Sequence, residues 1–111
     1  MISITVFRDS QNQISGIECR GHADFDEYGK DIVCAAVSAL TLNFANSVEK
    51  FTDDSFSGQM DEETGEFVFH FDDGKISRES RLLMDSLVLG LTNIQESFGK
   101  NILISDVRRW K

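Results

Sequence analysis

Two side chains suited to nucleophilic and proton-transfer chemistry lie close together in the first third of the chain. His22 precedes Cys34 by twelve residues. The stretch runs Gly21-His22-Ala23, then 24–30, then Asp31-Ile32-Val33-Cys34-Ala35-Ala36-Val37-Ser38-Ala39-Leu40. A thiol and an imidazole that meet in space make a nucleophile and its base. The apolar spacing from Ile32 predicts a helix over 32–51 with Asp31 as its N-cap. Cys34 then falls in the first turn, near the positive end of the macrodipole, which favours a thiolate. Backbone N–H groups there lack intrahelical partners and are available to an oxyanion. The competing reading is a buried structural cysteine. Free cysteine is among the most buried residue types, and Val33, Ala35 and Ala36 are apolar neighbours.

The residues around the pair have two readings each. His22 follows a strand and opens a loop, where a general base could take the thiol proton and later protonate a leaving amine; a surface histidine without a role is the alternative. Asp31 as a cap stabilises the helix by ~1 kcal/mol. As a third group it orients the imidazolium. A carboxylate beside a thiol opposes its ionisation, so capping is the stronger reading. Ser38, one turn beyond Cys34, lines a substrate site or packs on the sheet. Gly21 and Gly29 bracket an acidic segment containing Phe25 and Tyr28. It reads as a lid with two aromatic contacts, or as an ordinary surface loop. Cys19, His22, Cys34 and His70 are a set that zinc would accept, but there is no Cys-x-x-Cys pair and the spacing fits no finger.

The elements that must position these groups follow from hydrophobic period. Ile2, Ile4 and Val6 alternate with polar residues, Asp9 to Gln13 is turn chemistry, and 14–20 forms a second strand. Strands over 55–60 and 66–71 flank a turn in which Gly65 is free to take a left-handed conformation. A second helix is expected over 76–98, with Gly99 at C′ and Gly90 marking close packing. A last strand covers 101–107. The order is ββαββαβ, an α+β fold with two long helices packed on one mixed or antiparallel sheet. The first half of the 32–51 helix is apolar nearly all round, which predicts burial by the sheet on one side and a subunit partner on another.

Length and composition bound the rest. With 111 residues the chain makes one domain, 1–111. Net charge is −8, from 11 basic and 19 acidic residues. That disfavours direct nucleic-acid binding and suits a basic partner. Two cysteines and no visible targeting segment suggest a cytoplasmic protein. No apolar run approaches the ~20 residues a bilayer span needs, so no membrane is expected.

The string from Gly21 to Leu40, with Gly-His-Ala followed by Asp-Ile-Val-Cys-Ala, resembles the signature of the ribosomal-processing cysteine protease family, Prp. The resemblance implies a small cytoplasmic thiol endopeptidase that forms homodimers and uses no cofactor. Its substrate would be an N-terminally extended large-subunit ribosomal protein, cut after a Phe-Phe pair. Cys34 matches the family nucleophile and His22 its catalytic histidine. Asp31 and Ser38 match positions near the site, and the loop between His22 and Cys34 would move on substrate binding. A non-enzymatic ribosome-assembly adaptor holding a basic peptide is the alternative.

Overall fold

The alternating and helical periods resolve into β1 (Ile2–Arg8), β2 (Ile14–Arg20), α1 (Tyr28–Phe51), β3 (Phe56–Asp61), β4 (Glu66–Phe71), α2 (Arg78–Phe98) and β5 (Ile102–Arg108). The structure, a computed structural model, describes residues 1–21, 28–61, 64–72, 76–100 and 102–108, with the backbone alone for 28–31 and 107–108. The α+β order ββαββαβ is the expected one.

The five strands form one sheet in the order β3-β4-β2-β1-β5. β1–β2, β2–β4 and β3–β4 pair antiparallel, whereas β1–β5 is parallel, so the sheet is mixed. A parallel pair needs a long crossover, and α2 supplies it between β4 and β5. The two hairpins turn through left-handed residues, Asn12 (φ 64°) and Gly65 (φ 74°). The Asp9 carboxylate accepts from the Gln11 and Gln13 amides at 2.9 and 3.0 Å and so closes the first turn.

Both helices cover one face of the sheet. Ile4, Val6, Ile17, Cys19, Phe67, Phe69 and Ile102 point into the core from the strands. Val33, Val37, Phe44 and Val48 meet them from α1, and Met84, Leu87 and Leu91 from α2. Phe69 is the centre of an aromatic group. Its ring lies 4.7 Å from Phe44, 4.7 Å from Phe56 and 4.9 Å from Phe71. The helices approach closely at Gly90, where an added Cβ would stand 2.9 Å from Leu40 Cδ1. The opposite face of the sheet carries mainly polar and charged groups, and among them Phe7 is buried at 6% exposure beside His70.

Four expectations need correction. Asp31 is not an N-cap, because α1 begins at Tyr28 and Asp31 lies inside its first turn. An acidic residue suits either place, since both lie at the positive end of the helix dipole. α2 begins at Arg78 rather than 76, with Ser77 as N-cap, and Gly99 ends it in a right-handed conformation, not a left-handed one. Finally, 32–51 is long and apolar enough to cross a membrane by length and composition. It carries no charge before Glu49, and its aliphatic and aromatic residues outweigh Asn43 and Asn46 on a hydropathy scale. That test does not see that Val33, Val37, Phe44 and Val48 are seated on the sheet.

The start of α2 is fastened to the exit from α1. Asp54 Oδ2 accepts from the Ser77 amide at 3.1 Å and from Ser77 Oγ at 2.5 Å, and Ser77 Oγ accepts from the Ser80 amide at 3.1 Å. Desolvation pushes the Asp54 carboxyl up, but the hydrogen bonds from Ser77 and Ser80 outweigh it and hold it below its ordinary 3.8. A depressed folded-state value stabilises above the unfolded value and is lost as pH falls through the folded one. Asp54→Asn should therefore cost about 1 kcal/mol at pH 7, and the difference from the parent should vanish in urea titrations well below pH 3.8. Phe69→Ala should cost about 3–5 kcal/mol in the same titrations, through the cavity it leaves among Phe44, Phe56, Phe67 and Phe71.

Candidate functional site

The site is best built from α1. Its core positions leave Cys34 one residue round the helix from Val33, which is fully buried. The thiol is half-buried and packs against the edge of the core. Side chains on a helix lean toward its N-terminus, so the thiol lies over the turn that holds Lys30 and Asp31. Ser38, one turn on, is also half-buried, and its carbonyl accepts from Thr41 Oγ1 at 3.2 Å. Because α1 starts at Tyr28, Cys34 stands in the second turn and not the first. Its own N–H belongs to the helical ladder, and the unpaired N–H groups are those of the first turn. The expected dipole and oxyanion contributions at Cys34 therefore move one turn upstream.

Gly21 ends β2 with φ 79°, in the left-handed region. An added Cβ would stand 2.8 Å from the Met1 carbonyl oxygen. His22 and Phe25 lie outside the described residues, as do the side chains of Tyr28 and Asp31. The structure thus places Gly21, Cys34 and Ser38 of the expected site.

The other thiol is in a different environment. Cys19 is 1% exposed, and burial pushes its thiol up to about 12. It stays protonated and enclosed. Sheet geometry takes His70 out of the four-ligand zinc set. Cys19 pairs with Phe67 on the covered face, whereas His70, between Phe69 and Phe71, points to the open one. There His70 lies 5.4 Å from the Phe7 ring and 3.4 Å from the Glu18 carboxylate. Cys19 and His70 cannot ligate one ion.

A charged group escaped the sequence reading. Arg20 donates through Nε and Nη2 to Glu18 Oε1, at 3.0 and 2.8 Å, and through Nη1 to Glu66 Oε2 on β4. Burial pushes the Glu18 carboxyl up, but hydrogen bonds from Arg20 and then His70 hold it below its ordinary value. The available signal was a Glu and an Arg two residues apart on a strand, directly before the glycine that precedes His22.

These features define a class: a two-layer α+β protein whose solvent-accessible thiol rides on the helix that follows its second strand. Over residues 1–103 the chain matches the family described as cysteine protease Prp. It is 30% identical over 110 residues to the ribosomal processing cysteine protease Prp of Bacillus subtilis, covering 95% of this chain and 96% of that protein. It resembles the crystal structure of Prp from Staphylococcus aureus in complex with a substrate peptide, with TM-score 0.88 and 26% identity over 96% of this chain and 100% of that one. SMU.848 from Streptococcus mutans gives TM-score 0.82 at 34% identity, covering 98% and 96% of the two chains. The chain belongs to the Prp family of cysteine proteases.

The contrast between the two thiols is measurable. Iodoacetamide should modify Cys34 in the native protein and leave Cys19 untouched until denaturant is added, as read by peptide mass mapping. Equal native rates at both positions would contradict the burial of Cys19.

Proposed function

We propose that this chain is a cytoplasmic cysteine endopeptidase, a single domain over 1–111, that removes the short N-terminal extension of a large-subunit ribosomal protein by cutting after a Phe-Phe pair. What carries the proposal is Cys34: a half-buried thiol on a helix anchored in the core, in a chain that matches a cysteine protease family along 1–103. The names of the relatives, and the peptide complex of the Staphylococcus aureus protein, support a peptide substrate of ribosomal origin.

In this mechanism His22 takes the Cys34 proton, and the thiolate adds to the scissile carbonyl. The oxyanion is held by the unpaired N–H groups of the first turn of α1, at Tyr28 to Lys30. His22 then gives its proton to the departing amine as the C–N bond breaks, leaving a thioester on Cys34. Water, deprotonated by His22, resolves the thioester and returns the thiol. Asp31 orients the imidazolium. Ser38 and Gly21 line the substrate cleft, and Phe25 and Tyr28 offer aromatic faces to the substrate phenylalanines. No step needs a cofactor. The net charge of −8 attracts a basic substrate.

A homodimer fits the outer side of α1. Ile32 is 46% and Leu42 42% exposed, and Ala35 and Ala39 between them are exposed too. This uncharged stripe leaves one side of the helix free for a second copy, as its all-round apolar character suggests.

The test is incubation with the N-terminally extended ribosomal protein, read by intact mass. Cys34→Ala and His22→Ala should each slow cleavage by at least about 10³-fold, with circular dichroism unchanged. Cleavage by Cys34→Ala at the parent rate overturns the proposal.

A further inference from the structure

The end of β2 is where the chain leaves the sheet for His22, and it is held from both sides. On one side, the backbone ladder with β4 ends at Cys19 opposite Phe67. Arg20 lies one residue beyond it. Its guanidinium carries the tie further, bridging Glu18 on its own strand to Glu66 on β4. Glu18 is itself shared with His70, 3.4 Å away. On the other side, β1 pairs with β2 as far as Ser3 opposite Arg20. The next residue, Gly21, sits against the Met1 carbonyl, where a Cβ would come within 2.8 Å. Its φ of 79° turns the chain sharply as it leaves the sheet, a conformation L side chains avoid.

We infer that Arg20, through Glu18 and Glu66, and Gly21, through Met1, are positioning residues that fix the direction in which the chain enters His22. This rests on the proposed role of His22 as general base. Arg20 stands outside the proposed machinery, and Gly21, which also lines the proposed cleft, acts here through its backbone. Their effect is geometric: a clamp on β4 and a turn against β1 hold the two residues that lead into His22. Proton transfer from a thiol demands such accuracy, because misplacement by about 1 Å costs on the order of 10²-fold in rate.

Folding does not account for this arrangement. The Arg20 side chain is 53% exposed, against 18% for Glu18 and 30% for Glu66, and pairs with so exposed a partner contribute at most about 1 kcal/mol to stability. The Arg–Glu cluster lies on the open face of the sheet, away from the core. A loss of activity on breaking it should therefore appear without a matching loss of stability.

The experiment uses steady-state cleavage of a peptide spanning the extension junction, with melting temperature recorded for every variant. Arg20→Met and Glu66→Gln should each lower kcat by about 10-fold with KM and melting temperature nearly unchanged. The double variant should be no slower than the worse single one, because both break the same tie. Arg20→Lys should be intermediate, since an ammonium lacks the planar fork that bridges two carboxylates. Gly21→Ala should lower kcat by about 100-fold. Parent-like kcat in Arg20→Met and Glu66→Gln, additive losses, or losses that track melting temperature overturn the inference while parent cleavage stands. Absence of cleavage by the parent protein itself overturns both this inference and the proposed function.

Discussion

The contact between Phe44 of α1 and Phe69 of β4 sets the geometry on which the rest depends. The two rings meet edge to face at 4.7 Å, and with Val33, Val37 and Val48 they fix how α1 is rolled on the sheet. The roll decides the chemistry. Successive residues of an α-helix differ by about 100°, so Cys34 is displaced by that angle from Val33, which touches the sheet. Rolled by one residue, α1 would put the thiol into the hydrocarbon core and make it as inert as Cys19. The same aromatic group also supports β3 through Phe56. A packing contact nearly three turns away from Cys34 thus governs whether that cysteine lies inside the core or at its edge.

Layering divides the labour within the sheet. One face is hydrocarbon and holds the helices; the other holds ion pairs and the imidazole of His70, which packs on the buried Phe7 ring. β2 lies inside the sheet, hydrogen-bonded to β1 on one side and to β4 on the other. It sends alternate residues to each face: Ile17 and Cys19 inward, Glu18 and Arg20 outward. Its last residues therefore draw rigidity from two independent sources, core packing and exposed charge pairing. A chain leaving such a strand starts from a well-defined point.

Much of this was legible in the sequence, for identifiable reasons. Strands and helices follow from period, and charge-free windows such as Ile32–Val48 leave little freedom in assigning a helix. Cys34 and His22 stand out because histidine and cysteine are scarce here. The start of α1 was misplaced because Asp31 satisfies both the cap and the first-turn pattern, and sequence offers no means of choosing between them. Gly99 was misread because a glycine permits a left-handed end without requiring one. The Arg20 group was invisible for a different reason. Glu66 lies 46 residues from Arg20, and only the β2–β4 register brings them together. The fate of the two thiols likewise depended on which face each strand or helix position took, which period alone does not assign between partners.

The parallel pairing of β1 with β5 sets the order in which the fold can close. Ile2 lies opposite Ile102, and Arg8 opposite Arg108, so each partner follows the other by 100 residues of synthesis. The antiparallel ladders β1–β2 and β3–β4 can zip locally while the chain is still emerging, but the outer edge of β1 stays bare until β5 is made. Such distant pairing carries a loop-closure cost before any contact rewards it. Met1, whose carbonyl confines Gly21, borders this late-formed seam. On the ribosome, the frame at Gly21 is therefore completed last, after the helix that carries Cys34 can form.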